Sequence, residues 1–170
     1  MLREILMLGL FPAAMAFAAA SDLVTMTISN RLSLLLAAGF FLAAFLIGMP
    51  LTEVGWHVLA ALIVLVVAFG CFAFGWIGGG DAKLAAATAL WFGFSHLMDY
   101  LLLASILGGA LPLLILAVRQ GPLPSFLERQ AWIARLHRVN SGIPYGIALA
   151  LAGLLVYLDT DFIRAAALGQ

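Results

Sequence analysis

Two aspartates are the residues of this sequence best placed to do chemistry. Asp22 follows a first apolar segment, and Asp81 follows three glycines, Gly78, Gly79 and Gly80, at the head of another. An ionisable side chain next to hydrocarbon is costly and is by default a sign of function. Two carboxylates held close cannot both ionise easily, so the pair would keep one proton near neutral pH. Such a pair can activate water for hydrolysis, as it does in aspartic proteases.

The residues around Asp81 leave two interpretations open. Glycines permit positive φ and the close approach of another backbone, here a peptide substrate or a partner helix. The same stretch also suits a tight turn in which Asp81 caps the following helix and Lys83 extends to the lipid headgroups. Asp22 and Asp81 are 59 positions apart. Only helix packing could therefore bring them together.

The composition is that of an integral membrane protein. The 170 residues are 65% hydrophobic and 9% charged, with a mean hydropathy of +1.17, far from the values of soluble domains. The net charge of zero gives no electrostatic case for binding nucleic acid. A single cysteine, Cys71, excludes an internal disulfide and any multi-cysteine metal site. The three histidines share no ligand spacing, so we expect no metal site.

Apolar runs long enough for transmembrane helices predict an all-α, polytopic membrane protein with six spans. We treat residues 1–170 as one integral membrane domain. Only Ser95, His96 and Asp99 interrupt the fourth and fifth runs, so the boundary between them is expected near residue 99. The runs lie near residues 4–20, 32–49, 54–76, 82–98, 100–118 and 143–158.

Basic residues predict the orientation, because Lys and Arg accumulate in cytoplasmic loops. With six spans, both termini are expected on the exterior (periplasmic) side, and Asp22 and Asp81 at the cytoplasmic face. Asp99 would then lie toward the exterior as a polar contact rather than a catalytic group. The cytoplasmic loop 119–142 is predicted to contain an amphipathic surface helix. Six basic residues fall on the cytoplasmic side, Arg31, Lys83, Arg119, Arg129, Arg135 and Arg138, against Arg3 and Arg164 on the other.

The first apolar segment also has features of a cleaved signal peptide, with a basic residue, an apolar stretch and Ala-x-Ala before Ser21. Cleavage would leave five spans. Glu4 cancels the charge of Arg3, and Pro12 lies in the middle of the segment. We therefore expect the segment to be retained as the first span.

Three stretches resemble the type IV prepilin peptidases. "GGGDAKLAAATALWFG" is similar to the GxGD signature of that family, and "SDLVTMTISNRLSLLL" is similar to its first aspartate motif, an Asp followed by Ile-Pro-Asn. "GIPYGIALALAGLL", residues 142–155, resembles the Pro-Tyr-Gly segment that opens the last helix in the short, peptidase-only branch serving Flp-type (tight adherence) pili. The three motifs occur in the expected order over nearly the whole chain.

The resemblance implies a membrane-embedded aspartic endopeptidase of the bacterial inner (cytoplasmic) membrane. Its substrates would be Flp-type pilin and pseudopilin precursors, whose short basic leader is cleaved after a glycine at the cytoplasmic face. No metal or organic cofactor and no methyltransferase activity are implied. By resemblance Asp22 and Asp81 are catalytic. Residues that bind substrate or shape the loops would be Gly78, Gly79, Gly80, Lys83, Asn30, Pro144, Tyr145 and Gly146, the last three through packing or substrate positioning.

Two departures from the family pattern leave the loop after Asp22 open. Ser29 stands where the family usually has proline, and "LVTMT" lacks the usual basic residues. The same carboxylates could alternatively relay protons in a small proton-coupled transporter or channel. A catalytically inactive scaffold for pilus assembly and a presenilin-like protease with broader substrates are the remaining alternatives.

Overall fold

The computed structural model describes residues 6–160, 162 and 163, and the regular elements within them are all helical. Arg3, Glu4, Asp161 and Arg164, on which part of the orientation prediction rests, lie outside the described residues. A π-helical turn, Leu6–Leu10, leads into α1, Phe11–Thr25. Then follow α2, Asn30–Ile47, α3, Leu51–Ala73, α4, Gly79–Arg119, α5, Ser125–Glu128, α6, Ala131–His137, and α7, Tyr145–Tyr157.

Four of these segments are long and apolar enough to cross a membrane: Leu8–Thr25, Asn30–Ile47, Leu51–Ala73 and Gly79–Arg119. Large apolar side chains point outward along them, among them Leu34, Phe45, Val66 and Leu113. Soluble proteins rarely expose apolar surface on this scale, whereas a bilayer covers it. The chain is therefore a helical membrane protein.

The helix α4 reverses direction at Gly93, whose backbone is not helical (φ 54°, ψ −162°). An unbroken helix would hold Asp81 and Gly108 about 40 Å apart. Instead, both residues line one cavity of about 370 Å³. The second part of α4, 94–119, thus folds back beside the first part, 79–92. The boundary that the sequence suggested near residue 99 lies at Gly93.

The position of this turn is explained by a contact with α3. Positive φ is readily adopted by glycine, and a Cβ at position 93 would lie 2.8 Å from the ring of His57. His57 Nδ1 donates a hydrogen bond at 2.8 Å to the carbonyl of Leu90, three residues before the break. One side chain thus satisfies the backbone and fills the space above the glycine.

The core is an aromatic cluster that joins α1, α2, α4 and α7. Phe11 stacks on Tyr157 with ring centroids 4.3 Å apart, and Trp91 lies 5.3 Å from Phe11. Trp91 Nε1 donates to the carbonyl of Leu36 at 2.9 Å. These contacts fix the relative positions of the helices that carry the predicted site residues at their other ends.

Candidate active site

Asp22 lies in the last turn of α1 and is buried, with 6% of its surface exposed. The helix ends because Met26 adopts a left-handed conformation (φ 57°), and the Met26 N–H donates to the Asp22 carbonyl at 2.8 Å. Ser21 Oγ donates to the carbonyl of Thr27 at 2.9 Å, which ties the following segment back to the helix. The chain after Asp22 is thereby turned toward α4.

Asp81 lies in the first turn of α4. Its Oδ2 accepts a hydrogen bond from the Gly78 N–H at 3.2 Å, so the side chain caps the helix as one of the two interpretations expected. A carboxylate is also favoured near a helix N-terminus by the helix dipole. Its Oδ1 is buried and has no hydrogen-bond partner within the described part of the chain. One oxygen of Asp81 thus has a structural role, while the other is unused.

The segments that carry the two aspartates meet at Gly80. A Cβ at this position would lie 3.1 Å from Ile28 Cβ and 3.4 Å from the Ile28 backbone N and O. Contacts of 3.0–3.4 Å are tighter than most real Cβ contacts, so a side chain here would push the segment after Asp22 away. The absence of a side chain at Gly80 allows two stretches far apart in sequence to pack together.

The result is a pocket of about 230 Å³ that contains both aspartates. Its wall also includes backbone and side chains from the segment after α1 and from the three glycines before Asp81. Across the described ranges, no group of three or more His, Cys, Asp or Glu side chains is arranged to hold a metal ion. The lining residues are Asp22, Met26, Thr27, Ile28, Gly78, Gly79, Gly80 and Asp81.

Gly146 contacts Asp22 directly. Its N–H donates to Asp22 Oδ2 at 2.7 Å. The preceding Pro144 (φ −77°, ψ 80°) forms an inverse γ-turn, closed by the Tyr145 N–H on the carbonyl of Ile143 at 3.0 Å. A Cβ on Gly146 would lie 2.8 Å from Asp22 Oδ2 and 2.7 Å from Ile28 Cδ1. The Pro-Tyr-Gly stretch thus delivers a backbone donor to the aspartate.

The remaining predicted residues flank the pocket without lining it. Lys83 Nζ donates to Asn30 Oδ1 at 2.8 Å, which joins the start of α2 to the N-terminal part of α4. Tyr145 lines the neighbouring apolar cavity of about 370 Å³, in which Asp81 also takes part. Pro144 is buried beneath α6. Asn30, Lys83, Pro144 and Tyr145 therefore lie beside the pocket rather than in its wall.

Ile28 is the site residue that sequence reasoning overlooked. Its side chain contacts the positions where both Gly80 and Gly146 would carry a Cβ, so it lies between the segments of the two aspartates. The only signal was its place one residue before Ser29 in the first motif. Ser29 itself is the N-cap of α2, and its Oγ accepts a hydrogen bond from the Leu32 N–H at 3.4 Å.

A comparison with protein-family models gives one match. Residues 9–113, more than half of the chain, match the model of the type IV leader peptidase family. The matched region contains Asp22, Asp81 and the three glycines but not Gly146. Neither the comparison with curated proteins nor that with solved structures returned a match.

Proposed function

Because the chain belongs to the type IV leader peptidase family, we propose that it is an aspartic endopeptidase that removes the leader peptide of Flp-type prepilins. The observation that carries this proposal is the pocket shared by Asp22 and Asp81. Membership of a peptidase family and a helical membrane fold agree with it. The similarity of residues 142–155 to the Flp branch supports the choice of substrate.

In the proposed mechanism, water bound in the pocket attacks the scissile carbonyl. The hydrogen bond from the Gly146 N–H favours the ionised form of Asp22, which accepts a proton from the water. Asp81 holds the proton shared by the pair, and its unpartnered Oδ1 donates to the substrate carbonyl oxygen. As the tetrahedral intermediate collapses, the leaving amine receives a proton from the pair.

We further propose six spans, with the active site at the cytoplasmic face of the inner membrane. The reversal at Gly93 supplies two spans from α4, and α7 supplies the last. Arg31 and Lys83 lie within the first five residues of α2 and α4, at the end of the bundle that carries the aspartates. Arg135 donates to the carbonyl of Val24, close to Asp22. This clustering of basic residues supports a cytoplasmic assignment.

The direct test is cleavage of an Flp-type prepilin by the full chain in membranes. Asp22→Asn and Asp81→Asn each remove one carboxyl while keeping its shape, so we expect the rate to fall by about 10²–10⁴-fold. Asp99→Asn is the matched control, because Asp99 is exposed and lies beyond the turn at Gly93. Cleavage that survives in either pocket variant at wild-type rate would refute the proposal. Equal cleavage of a prepilin from another pilus class would refute the Flp-type substrate assignment but not the peptidase activity.

The pH dependence of the same reaction tests the pair. One carboxyl must be ionised and one protonated, so the rate should fall when both are protonated at low pH and when both are ionised at high pH. We expect a bell-shaped profile of initial rate in detergent, with helix content monitored at each pH. A rate that depends on a single ionisation would contradict the shared-proton mechanism.

A further inference from the structure

Arg119, the last residue of α4, holds the segment that precedes the Pro-Tyr-Gly stretch. Its Nε donates to the carbonyl of Leu136 at 2.7 Å. Its Nη2 donates to Ser141 Oγ at 2.7 Å and to the Ser141 carbonyl at 3.3 Å. Longer contacts reach the carbonyls of Val139, at 3.5 Å, and Gly142, at 3.4 Å. The half-buried guanidinium of Arg119 thus donates hydrogen bonds to several oxygens along residues 136–142.

These contacts end four residues before the donor to Asp22. Residues 138–144 contain no regular helix. Within them, Ser141 Oγ donates a hydrogen bond to the Arg138 carbonyl at 2.8 Å. Gly146 then places its N–H on Asp22 at 2.7 Å. Gly146 is the second residue of α7, so the loop before it sets where that helix begins. Because a loop without helical hydrogen bonds of its own is more mobile than the helices it joins, what anchors this loop affects the position of the Gly146 amide.

We propose that Arg119 is a positioning residue for the aspartate pair, acting through residues 136–142 to hold the Gly146 amide on Asp22. The inference rests on the proposed peptidase function. Arg119 touches neither aspartate in the described structure and supplies no proton. It links the end of α4, whose first turn contains Asp81, to the loop before α7, the helix whose second residue is the donor to Asp22.

The geometry calls for arginine in particular. A guanidinium presents five N–H groups in a fixed planar fork, whereas an ammonium is a compact charge on a flexible chain. Lysine at this position could reach Ser141 or Leu136 but could not bind both ends of the segment at once. Arg119→Lys should therefore retain part of the effect, and Arg119→Gln should lose most of it.

The test compares Arg119→Gln, Arg119→Lys and Arg138→Gln in the full chain. In Arg119→Gln, the hydrogen bond from the Gly146 N–H to Asp22 should weaken. We expect kcat to fall by about tenfold, with KM within about twofold of wild type. Arg119→Lys should fall between the two. Arg138 is the control because it is exposed, lies in the same segment, and its side chain makes no hydrogen bond within the described residues. If Arg119 only stabilised the fold, Arg119→Gln would lower the fraction of folded protein, and the folded molecules would keep the kcat and KM of wild type.

Hydrogen–deuterium exchange at the Gly146 amide provides the second readout, and it requires no substrate. We expect exchange about tenfold faster in Arg119→Gln than in wild type, and unchanged exchange in Arg138→Gln. The inference is overturned if kcat is unchanged, or if kcat falls while the Gly146 amide stays as protected as in wild type. Should Arg119→Gln fail to fold, Arg119→Lys decides by the same two measurements. Loss of cleavage by the wild-type protein would instead overturn the proposed function.

Discussion

The same three helices build two ends of this molecule that differ in side-chain size, polarity and packing. Each helix carries one residue of the aromatic cluster and one residue at the pocket of the aspartates. These two residues are ten or eleven positions apart, which corresponds to about 15 Å along the helix axis. One end is an aromatic cluster, and the other is the pocket of the aspartates. The pairs are Phe11 and Asp22 on α1, Trp91 and Asp81 on α4, and Tyr157 and Gly146 on α7.

At the aromatic end the volume is filled. Phe11, Trp91 and Tyr157 are no more than 1% exposed, and their rings are in mutual contact. The polar atom of Trp91 is paired with the Leu36 carbonyl. Since TM helices gain little from the hydrophobic effect in lipid, such packing and hydrogen bonding must supply the association energy.

At the aspartate end, large side chains are replaced by glycines and a cavity. The missing side chain at Gly80 lets the backbone of Ile28 approach, and that at Gly146 leaves room for the side chains of Asp22 and Ile28. Asp81, whose Oδ1 has no hydrogen-bond partner in the described part of the chain, lines the pocket of about 230 Å³. Such a site contributes little to stability and leaves a reactive group unsatisfied. The comparison suggests that the aromatic end holds the helices in place so that the other end can remain open.

Trp91→Ala should have the largest effect, and its effect should be on stability. The substitution removes a fully buried indole and its hydrogen bond, which we expect to cost about 4 kcal/mol of unfolding free energy. Unfolding in detergent micelles would measure the loss. Activity per folded molecule should remain near wild type, because the pocket is about 15 Å away along α4.

Trp76→Ala provides the matched control for that experiment. Trp76 is 70% exposed and stacks only on Phe74, at 5.5 Å, among the described aromatic rings. Its removal should change stability by no more than about 0.5 kcal/mol. Equal losses in the two tryptophan variants would contradict the division of the molecule into a packed end and an open end.

Gly146→Ala should show the reverse behaviour, with a large loss of activity and a small change in stability. The added methyl would meet Asp22 Oδ2 at 2.8 Å and displace the amide that now binds it. A displacement of about 1 Å at a reacting group can cost about 10²-fold in rate, or about 2.7 kcal/mol. Initial rates of prepilin cleavage would measure this.

Gly153→Ala, on the same helix, is the control for Gly146→Ala. Its methyl would lie 3.3 Å from Met15 Sδ and 3.4 Å from Thr88 Cγ2, where flexible or small atoms can adjust. We expect activity within about threefold of wild type, since no contact near Asp22 changes. Similar losses of activity in both alanine variants would mean that helix distortion, rather than the Asp22 contact, explains the effect.

The aspartates and glycines could be found from the sequence because they interrupt a chain that is otherwise apolar. The all-helical fold followed from the apolar composition, whereas the family was inferred from the resemblance of three motifs, and both are confirmed. The catalytic roles of Asp22 and Asp81 stay predictions, although the structure brings the two residues into one pocket. Local sequence is informative where a residue type conflicts with its surroundings.

The reversal at Gly93 could not be read from the sequence in the same way. Polar residues at 95, 96 and 99 suggested a later boundary, but the turn is fixed by His57, 36 positions earlier in the chain. The donor role of Gly146 was missed for a related reason, since its acceptor is 124 positions away. Contacts of this kind depend on how helices pack, which composition and periodicity do not specify.

Ser29 offers the smallest and most discriminating test of the open end. Its φ of −74° and ψ of 144° suit a proline, and its N–H donates no hydrogen bond within the described residues. Ser29→Pro should therefore keep the loop after Asp22 in place and leave the cleavage rate within about twofold of wild type. Ser29→Ala should remove the N-cap of α2 and lower the stability by about 0.5–1 kcal/mol. Thermal unfolding and initial rates of both variants would separate the two contributions. A loss of more than about tenfold in both Ser29→Pro and Ser29→Ala would mean that the serine hydroxyl, rather than the backbone conformation, sets the shape of the pocket beside Ile28. The same loss in Ser29→Pro alone would mean that the loop does not accept a proline.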